Sequence, residues 1–236
     1  MNRVCLVTGG TRGIGLATAQ ALLAAGDRVA ITGTSPDSVQ RGQQRLEEGH
    51  RTANVAGFVC DVRHPREVEQ VVGEVTTKFG GLDVLVNNAG VGVFRSIAEM
   101  SHDEWSRMID TNLTGVFHCS KAAVPHMRAR GGGWIISVSS LASKNPFTGG
   151  GAYCASKVAL NAFCEVLMQE VRHDNIRVSY VLPGSVATEF SGRPEGAGSD
   201  WKLHAEDVAR AIIGLLDFPD RSLPSRIEIR PSRPAK

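Results

Sequence analysis

Short apolar runs alternate along the whole chain with longer segments in which apolar residues recur at helical spacing. Parallel strands need crossover connections of a dozen or more residues, usually helices, so this alternation predicts a parallel sheet covered on both faces. We therefore expect an α/β fold, a doubly wound parallel sheet of about seven strands flanked by helices. The predicted strands are 3–8, 28–32, 55–60, 82–86, 134–138, 177–182 and 227–229.

The first predicted strand leads directly into a glycine-rich turn, Gly9–Gly15, which is followed by an alanine-rich helix. Strand, glycine turn and helix in this order place bare amide groups and a helix N-terminus where they can bind a phosphate group. A plain tight turn is the alternative interpretation of this segment when it is taken alone. One face of the helix carries small residues, which we expect to pack closely on the sheet: Ile14, Ala17, Ala21 and Ala24.

The apolar run 134–138 ends on two hydroxyl side chains, Ser139 and Ser140, and the next helix begins with Tyr153 and Lys157. Residues four apart on a helix share one face, so the tyrosine and the lysine are neighbours. A serine at the end of a strand can meet both at one point, which makes this a candidate proton-transfer site. Alone, Tyr-x-x-x-Lys could equally be a surface pair.

Polar or glycine-rich positions recur where the predicted strands end. In a doubly wound sheet the carboxyl ends of the strands line one crevice, and ligands bind there. A dinucleotide and the Ser/Tyr/Lys group would therefore share one edge of the sheet. The positions are Gly9–Gly15, Gly33–Ser35, Asp61, Asn87–Gly90, Ser139, Ser140 and Pro183-Gly184.

The overall composition excludes several other classes of protein. A net charge of +2 and a pI near 8.3 are too mild to favour nucleic acid or a membrane surface. No apolar run approaches the ~20 residues of a membrane helix, and the first strand begins too early to leave room for a signal peptide. The five cysteines and seven histidines show no metal-ligand spacing, so we expect no metal site. We expect a cytoplasmic protein with reduced thiols.

Taken together, the motifs resemble those of classical short-chain dehydrogenases/reductases, a family with a Rossmann-type fold. The resemblance runs from Val4 to about Thr188, and more loosely to Pro231, so we predict a single domain over residues 1–236. Because the set spans most of the chain, it is highly specific. The matching residues are Thr8-Gly9-x-x-x-Gly13-Ile14-Gly15, Asn87-Asn88-Ala89-Gly90, Asn112, Ser140 thirteen residues before the tyrosine of Tyr153-x-x-x-Lys157, and Pro183-Gly184-x-Val186-x-Thr188.

The resemblance implies a catalytic role for four residues. Tyr153 would donate the proton in carbonyl reduction and act as the base in alcohol oxidation. A nearby ammonium favours phenolate, so we expect Lys157 to lower the pKa of the tyrosine toward the working range, and also to hydrogen-bond the nicotinamide ribose. Ser140 would orient and polarise the substrate oxygen, and Asn112 would hold a water in the proton relay.

The resemblance also implies a nicotinamide cofactor, with Asp61 on the adenine and Asn88 near the adenosine ribose. An NAD enzyme usually has an acidic residue where the second strand ends, but here Gly33–Ser35 carry no carboxylate. Since Arg12 can offer its guanidinium to a 2′-phosphate, we predict NADPH in preference to NADH. The full predicted cofactor set is Gly9, Thr11, Arg12, Gly13, Ile14, Gly15, Gly33, Thr34, Ser35, Asp61, Val62, Asn88, Ala89, Gly90, Tyr153, Lys157, Pro183, Gly184, Val186 and Thr188.

We therefore expect an NADPH-dependent oxidoreductase that reduces a ketone or an aldehyde, with the cofactor part over about 1–130 and the active site and substrate lid over about 131–203. A 3-oxoacyl-carrier-protein reductase shares all these motifs and is the first alternative. Oxidation of a sugar or steroid alcohol is a second, and a non-catalytic NADP-binding regulatory protein is a third.

Two further features bear on substrate and assembly. The segment 189–200 is rich in Gly, Ser and Pro, which is typical of a mobile loop and predicts a lid. The family resemblance implies a homotetramer, or a homodimer, formed through helices at about 101–130 and 152–172. Four aromatic residues predict an apolar pocket wall, with packing in the core or the lid as the alternative: Phe94, Phe147, Phe190 and Trp201.

Overall fold

The computed structural model describes residues 2–188, 190 and 200–234, and in this part of the chain seven strands form one sheet. All the neighbouring strands are parallel, in the order β3-β2-β1-β4-β5-β6-β7. The predicted fold class is confirmed. The strands are β1 Val4–Val7, β2 Arg28–Gly33, β3 Val55–Val59, β4 Val84–Asn87, β5 Gly133–Val138, β6 Ile176–Pro183 and β7 Arg226–Ile229.

Helices cover both faces of this sheet. Successive side chains of a strand point to opposite faces, so Val4 and Leu6 belong to one apolar core while Cys5 and Val7 belong to the other. Helices α3, α5 and α6 pack on the first core, and α1, α2 and α7 pack on the second. Their bounds are α1 Gly13–Ala24, α2 Pro36–Glu47, α3 Pro65–Phe79, α4 His102–Ile109, α5 Gly115–Arg130, α6 Gly151–Val171 and α7 Ala205–Leu215.

The strand order reverses at β1, which lies between β2 and β4. Chain segments leave the sheet in opposite directions on the two sides of such a point, so a crevice opens above the carboxyl ends of the strands. The glycine turn after β1 lies at this crevice, and so do the segments that follow β4, β5 and β6. The fold therefore brings the predicted motifs to one edge of the sheet.

The small-residue face of α1 does not pack on the sheet as expected. Ile14, Ala17 and Ala21 pack against Ala205 and Ala209 of α7, and Ala24 is exposed. The sheet instead receives the face that carries Ala19, Leu22 and Leu23. Helical spacing identified the face correctly but did not identify its partner, because two helices lie side by side on this side of the sheet.

The predicted helical region 101–130 is interrupted near its middle. Helix α4 begins at a capping box in which Ser101 and Glu104 exchange hydrogen bonds. It passes into a π-helical turn, Asp110–Thr114, before α5 begins. Such single π turns are common at functional sites, and this one contains Asn112. Among the helices in the described ranges, none combines the length and the hydropathy needed to cross a membrane.

Candidate active site

A cleft of about 1260 Å³ runs along the carboxyl ends of the strands and gathers most of the predicted site residues. Gly15 and Asn112 are buried behind its wall. The predicted residues that line the cleft are Gly9, Thr11, Arg12, Gly13, Ile14, Gly33, Thr34, Ser35, Asp61, Val62, Asn88, Ala89, Gly90, Ser140, Tyr153, Lys157, Pro183, Gly184, Val186 and Thr188.

The turn after β1 has the geometry of a phosphate cradle. Gly13 has φ +54°, a backbone conformation that residues other than glycine rarely adopt. At Gly15 an added Cβ would lie 2.4 Å from both Asn88 Nδ2 and Gly9 O, so only glycine permits this approach. Helix α1 begins without a side-chain cap and without an acidic residue in its first turn. Its N-terminus therefore fits the anionic pyrophosphate of a dinucleotide.

Asn88 ties the ends of β4 and β1 together. Its Nδ2 donates to the carbonyl oxygens of Thr8 and Gly9, both at 3.0 Å, and its backbone N–H donates to Thr8 Oγ1 at 3.0 Å. Both amide hydrogens are therefore used within the protein. The expected contact with the adenosine ribose has only the side-chain oxygen left to accept a hydrogen bond.

Asp61 lines the cleft beyond the end of β3, where the adenine is expected. Its carboxylate accepts hydrogen bonds from the Arg63 side chain, with Nε 2.9 Å from each oxygen, and Arg63 thereby lowers the pKa of this carboxyl. The pair fixes the carboxylate in its charged form at the wall of the cleft.

Ser140, Tyr153 and Lys157 converge as the spacing predicted. Ser140 follows β5 and lines the cleft together with Tyr153, where it acts to lower the pKa of the phenol, whereas Ser139 Oγ donates to Asn161, 2.6 Å away. The structure therefore favours Ser140 over Ser139 as the site serine. Lys157 Nζ donates to the carbonyl oxygen of Val138 at 2.8 Å and lies 5.9 Å from the centre of the tyrosine ring.

The expectation that the pKa of Tyr153 lies near the working range is wrong for this structure. Burial raises the pKa of Tyr153, and the hydrogen bond with Ser140 opposes this rise only in part. Burial also lowers the pKa of Lys157 to about 8, because the ammonium is removed from water. The phenol therefore holds its proton at neutral pH, and the lysine titrates close to neutrality.

Asn112 is fully buried, and its side chain serves the protein interior. Its Nδ2 donates to Val91 O at 3.0 Å and to Ser156 Oγ at 3.1 Å, while its Oδ1 accepts from Val91 N at 2.8 Å. The amide thus holds the loop after β4 against α6. A relay water, the role expected for this residue, would have only the second lone pair of Oδ1.

Of the four aromatic residues predicted to form an apolar pocket wall, only Phe190 lines the cleft. Phe94 meets Tyr153 edge-on with ring centres 5.6 Å apart, and Phe190 lies 5.7 Å away. Phe147 packs on Phe94 at 5.6 Å. Trp201 instead has Lys202 over its ring. Apart from Phe190 and Asp200, the predicted lid lies outside the described residues.

Two arginines of α2 line the cleft and were missed from the sequence. Arg41 and Arg45 are four residues apart, so they share the helix face that looks toward Ser35 and Ser38. They lie on the helix after β2, beyond the residues at the strand end that usually distinguish NAD from NADP. The sequence signal for them is the i, i+4 spacing of two cationic residues on this helix.

The whole chain was compared with known proteins. The family model for short chain dehydrogenase matches residues 3–195. The chain belongs to the classical short-chain dehydrogenase/reductase family. Its seven-stranded parallel sheet is the Rossmann-type fold of this family.

Individual relatives and solved structures match between 80% and 100% of this chain. It is 36% identical over 233 residues to a 3alpha-hydroxysteroid dehydrogenase of Mediterraneibacter gnavus, covering 90% of this chain and 93% of the relative. It is 35% identical to a 3-oxoacyl-[acyl-carrier-protein] reductase of Vibrio cholerae, covering 80% and 75%. An alcohol dehydrogenase of the archaeon Thermococcus sibiricus, solved with 5-hydroxy-NADP, superimposes with a TM-score of 0.90 over 100% of both chains at 30% identity.

Proposed function

We propose that this short-chain dehydrogenase reduces a ketone or an aldehyde to an alcohol with NADPH. The observation that carries the proposal is the meeting of Ser140, a protonated Tyr153 and Lys157 at one end of a cleft that begins at a phosphate cradle. When bound, the reduced nicotinamide supplies the hydride, and the side chains of this site supply the proton and the orientation.

The proton chemistry follows from the environment of each group. Because burial raises its pKa, Tyr153 carries a proton that it can give to the carbonyl oxygen as hydride arrives. Ser140 Oγ accepts from Ala142 N at 3.1 Å, which leaves its own hydrogen to orient the substrate oxygen. Lys157 Nζ donates one of its three hydrogens to Val138 O, and the other two are available to a ribose hydroxyl.

The preference for NADPH rests on charge at the nucleotide end of the cleft. The end of β2, Gly33–Ser35, has no carboxylate to repel a 2′-phosphate, and Arg12, Arg41 and Arg45 line the same part of the wall. The archaeal alcohol dehydrogenase was solved with a modified NADP, which agrees with this choice. Asp61 and Arg63 would contact the adenine end.

The aromatic wall indicates an apolar substrate. Phe94 and Phe190 contact the tyrosine ring, Phe147 packs on Phe94, and the Arg95 side chain is held by Glu104, with Nε 2.8 Å from Oε1. The wall therefore favours ketones with neutral hydrophobic substituents. The relative named 3alpha-hydroxysteroid dehydrogenase acts, by its name, on a steroid alcohol. The carrier-protein reductase named among the relatives keeps 3-oxoacyl thioester reduction as the second candidate.

We also propose a homotetramer in the cytoplasm. Large apolar side chains stay exposed on the helices predicted to form the interfaces: Trp105 on α4, Phe117 on α5, and Val158 and Val166 on α6. Exposed apolar patches of this kind mark association surfaces. All five cysteines are buried free thiols, which suits a reducing compartment. Sedimentation equilibrium tests the assembly, and a mass of one chain would contradict it.

The test of function is the oxidation of NADPH and of NADH against a panel of carbonyl compounds. The panel contains neutral aryl and alicyclic ketones, aliphatic aldehydes and a 3-oxoacyl thioester. We expect turnover with NADPH and the highest kcat/KM for the neutral cyclic ketones. A highest kcat/KM for the thioester would favour the second candidate. Tight NADPH binding without turnover of any panel member would contradict the proposal and favour a binding protein.

A further inference from the structure

Helix α6 presents one face to the segment that follows β5. Tyr153, Lys157 and Asn161 stand four residues apart on this face, so each contacts the segment one turn further along the helix. Tyr153 lines the cleft beside Ser140, and Lys157 donates to Val138 O at 2.8 Å. The third position, Asn161, has no role in the proton chemistry proposed above.

The Asn161 side chain joins two serines that flank Ser140. Ser139 Oγ donates to its Oδ1 at 2.6 Å, and its Nδ2 donates to Ser143 Oγ at 2.8 Å. Ser143 Oγ in turn donates to the carbonyl oxygen of Ser140 at 2.6 Å. A closed chain of hydrogen bonds thus runs from the residue before Ser140, through α6, to the backbone of Ser140 itself.

This series of hydrogen bonds ends on the backbone carbonyl of Ser140, whereas the reaction uses the hydroxyl of its side chain. The carbonyl oxygen of Ser140 accepts from Ser143, and Ser140 Oγ accepts from Ala142 N, so the direction of the remaining Ser140 hydrogen depends on where this backbone lies. Ser139 is 3% exposed, and without Asn161 its hydroxyl would lose its acceptor away from water. A buried hydroxyl without a partner is costly, so the segment would shift to find another one.

We propose that Asn161 is a positioning residue that, through Ser139 and Ser143, holds Ser140 in line with the Tyr153 hydroxyl. It touches neither substrate nor cofactor. The proposal rests on the proposed function, because the alignment of serine and tyrosine matters only if both act on one carbonyl oxygen. Misplacement of a reacting group by about 1 Å can lower a rate by roughly 100-fold, so a second helix residue that fixes the serine has a measurable effect.

The test compares Asn161→Ala with Asn145→Ala, using NADPH and the best ketone of the panel. Asn145 is a matched control: it lies on the connection between β5 and α6 that also carries Ser140, it is exposed, and the one hydrogen bond of its side chain in the described structure is to Leu141 O, at 3.5 Å. We expect Asn161→Ala to lower kcat roughly 10- to 100-fold while the KM for NADPH stays within about twofold. We expect Asn145→Ala to change neither constant by more than about twofold.

A combined variant separates positioning from general loss of structure. If Asn161 acts through the two serines, Asn161→Ala should cause no further loss of kcat in a Ser139→Ala/Ser143→Ala background. Should Asn161→Ala fail to fold, Ser143→Ala cuts the same link at the Ser140 carbonyl and should lower kcat in the same selective way. An unchanged kcat, or losses that multiply in the triple variant, would overturn the positioning role alone. A wild-type enzyme with no turnover would overturn the proposed function as well.

Discussion

The segments that follow β1 and β5 build the same cleft by different means. After β1 the backbone does the work: a glycine with positive φ, a glycine packed against Asn88, and an uncapped helix N-terminus. After β5 the site is formed by side chains: Tyr153 and Lys157 of α6 lie beside Ser140, and Lys157 is fixed by its hydrogen bond to Val138 O. Cofactor binding and reaction should therefore respond separately to substitution. Damage to the first region should weaken cofactor affinity, and damage to the second should slow turnover.

The largest expected effect on cofactor affinity comes from Gly15→Ala. The added Cβ would lie 2.4 Å from Asn88 Nδ2 and Gly9 O, so the turn must move. At about 2–3 kcal/mol of strain, we expect NADPH to bind about 30- to 160-fold more weakly, with kcat at saturating NADPH within about threefold. Fluorescence titration with NADPH and steady-state kinetics check both values.

Gly73→Ala is the matched control for this variant. Gly73 lies within α3, and an added Cβ there would meet nothing within 4 Å. Since alanine is about 1 kcal/mol better than glycine inside a helix, this variant should melt at a higher temperature with unchanged NADPH affinity. Equal NADPH affinities for the two variants would contradict the backbone account of the first region.

Arg12→Ala should weaken the preference of the cofactor site for NADPH over NADH. If the guanidinium binds the 2′-phosphate, its loss should raise the KM for NADPH about 10- to 30-fold and that for NADH by less than about twofold. Arg41→Ala should show the same selectivity, because Arg41 lines the same cleft. Equal effects on the two cofactors would contradict the preference for NADPH.

The dependence of the reduction rate on pH should reveal the ionisation of Lys157 in the region after β5. Lys157 has a pKa of about 8, lowered by burial and raised slightly by Cys164 nearby, so its ammonium is present below pH 8 and lost above it. Without that charge Tyr153 yields its proton less readily, so the reduction rate should fall to about one tenth by one pH unit above 8. Lys157→Arg keeps the charge and should move this alkaline limb to higher pH. A rate that stays flat to pH 10 in the wild type would contradict the assignment.

Sequence patterns predicted what depends on the local chain. Alternating segments gave the parallel sheet, and the strand ends gave the crevice with its glycine turn and its Ser/Tyr/Lys group. Predictions were wrong or missing where a feature depends on residues far away in the sequence. The small-residue face of α1 packs on α7, the π turn at Asn112 interrupts a predicted helix, and burial outweighs Lys157 in setting the pKa of Tyr153. Asn161 was missed because its partners lie on another element, which spacing along α6 cannot show.

The most direct test of the account is the rate of hydride transfer from NADPH to a ketone in Tyr153→Phe. Phenylalanine keeps the ring contacts with Phe94 and Phe190 and removes only the hydroxyl that gives the proton. We predict a rate about 10²- to 10⁴-fold below that of the wild type, with the Kd for NADPH within about twofold. A rate within about tenfold of the wild type would contradict Tyr153 as the proton donor, and with it the separation of binding from chemistry in this cleft.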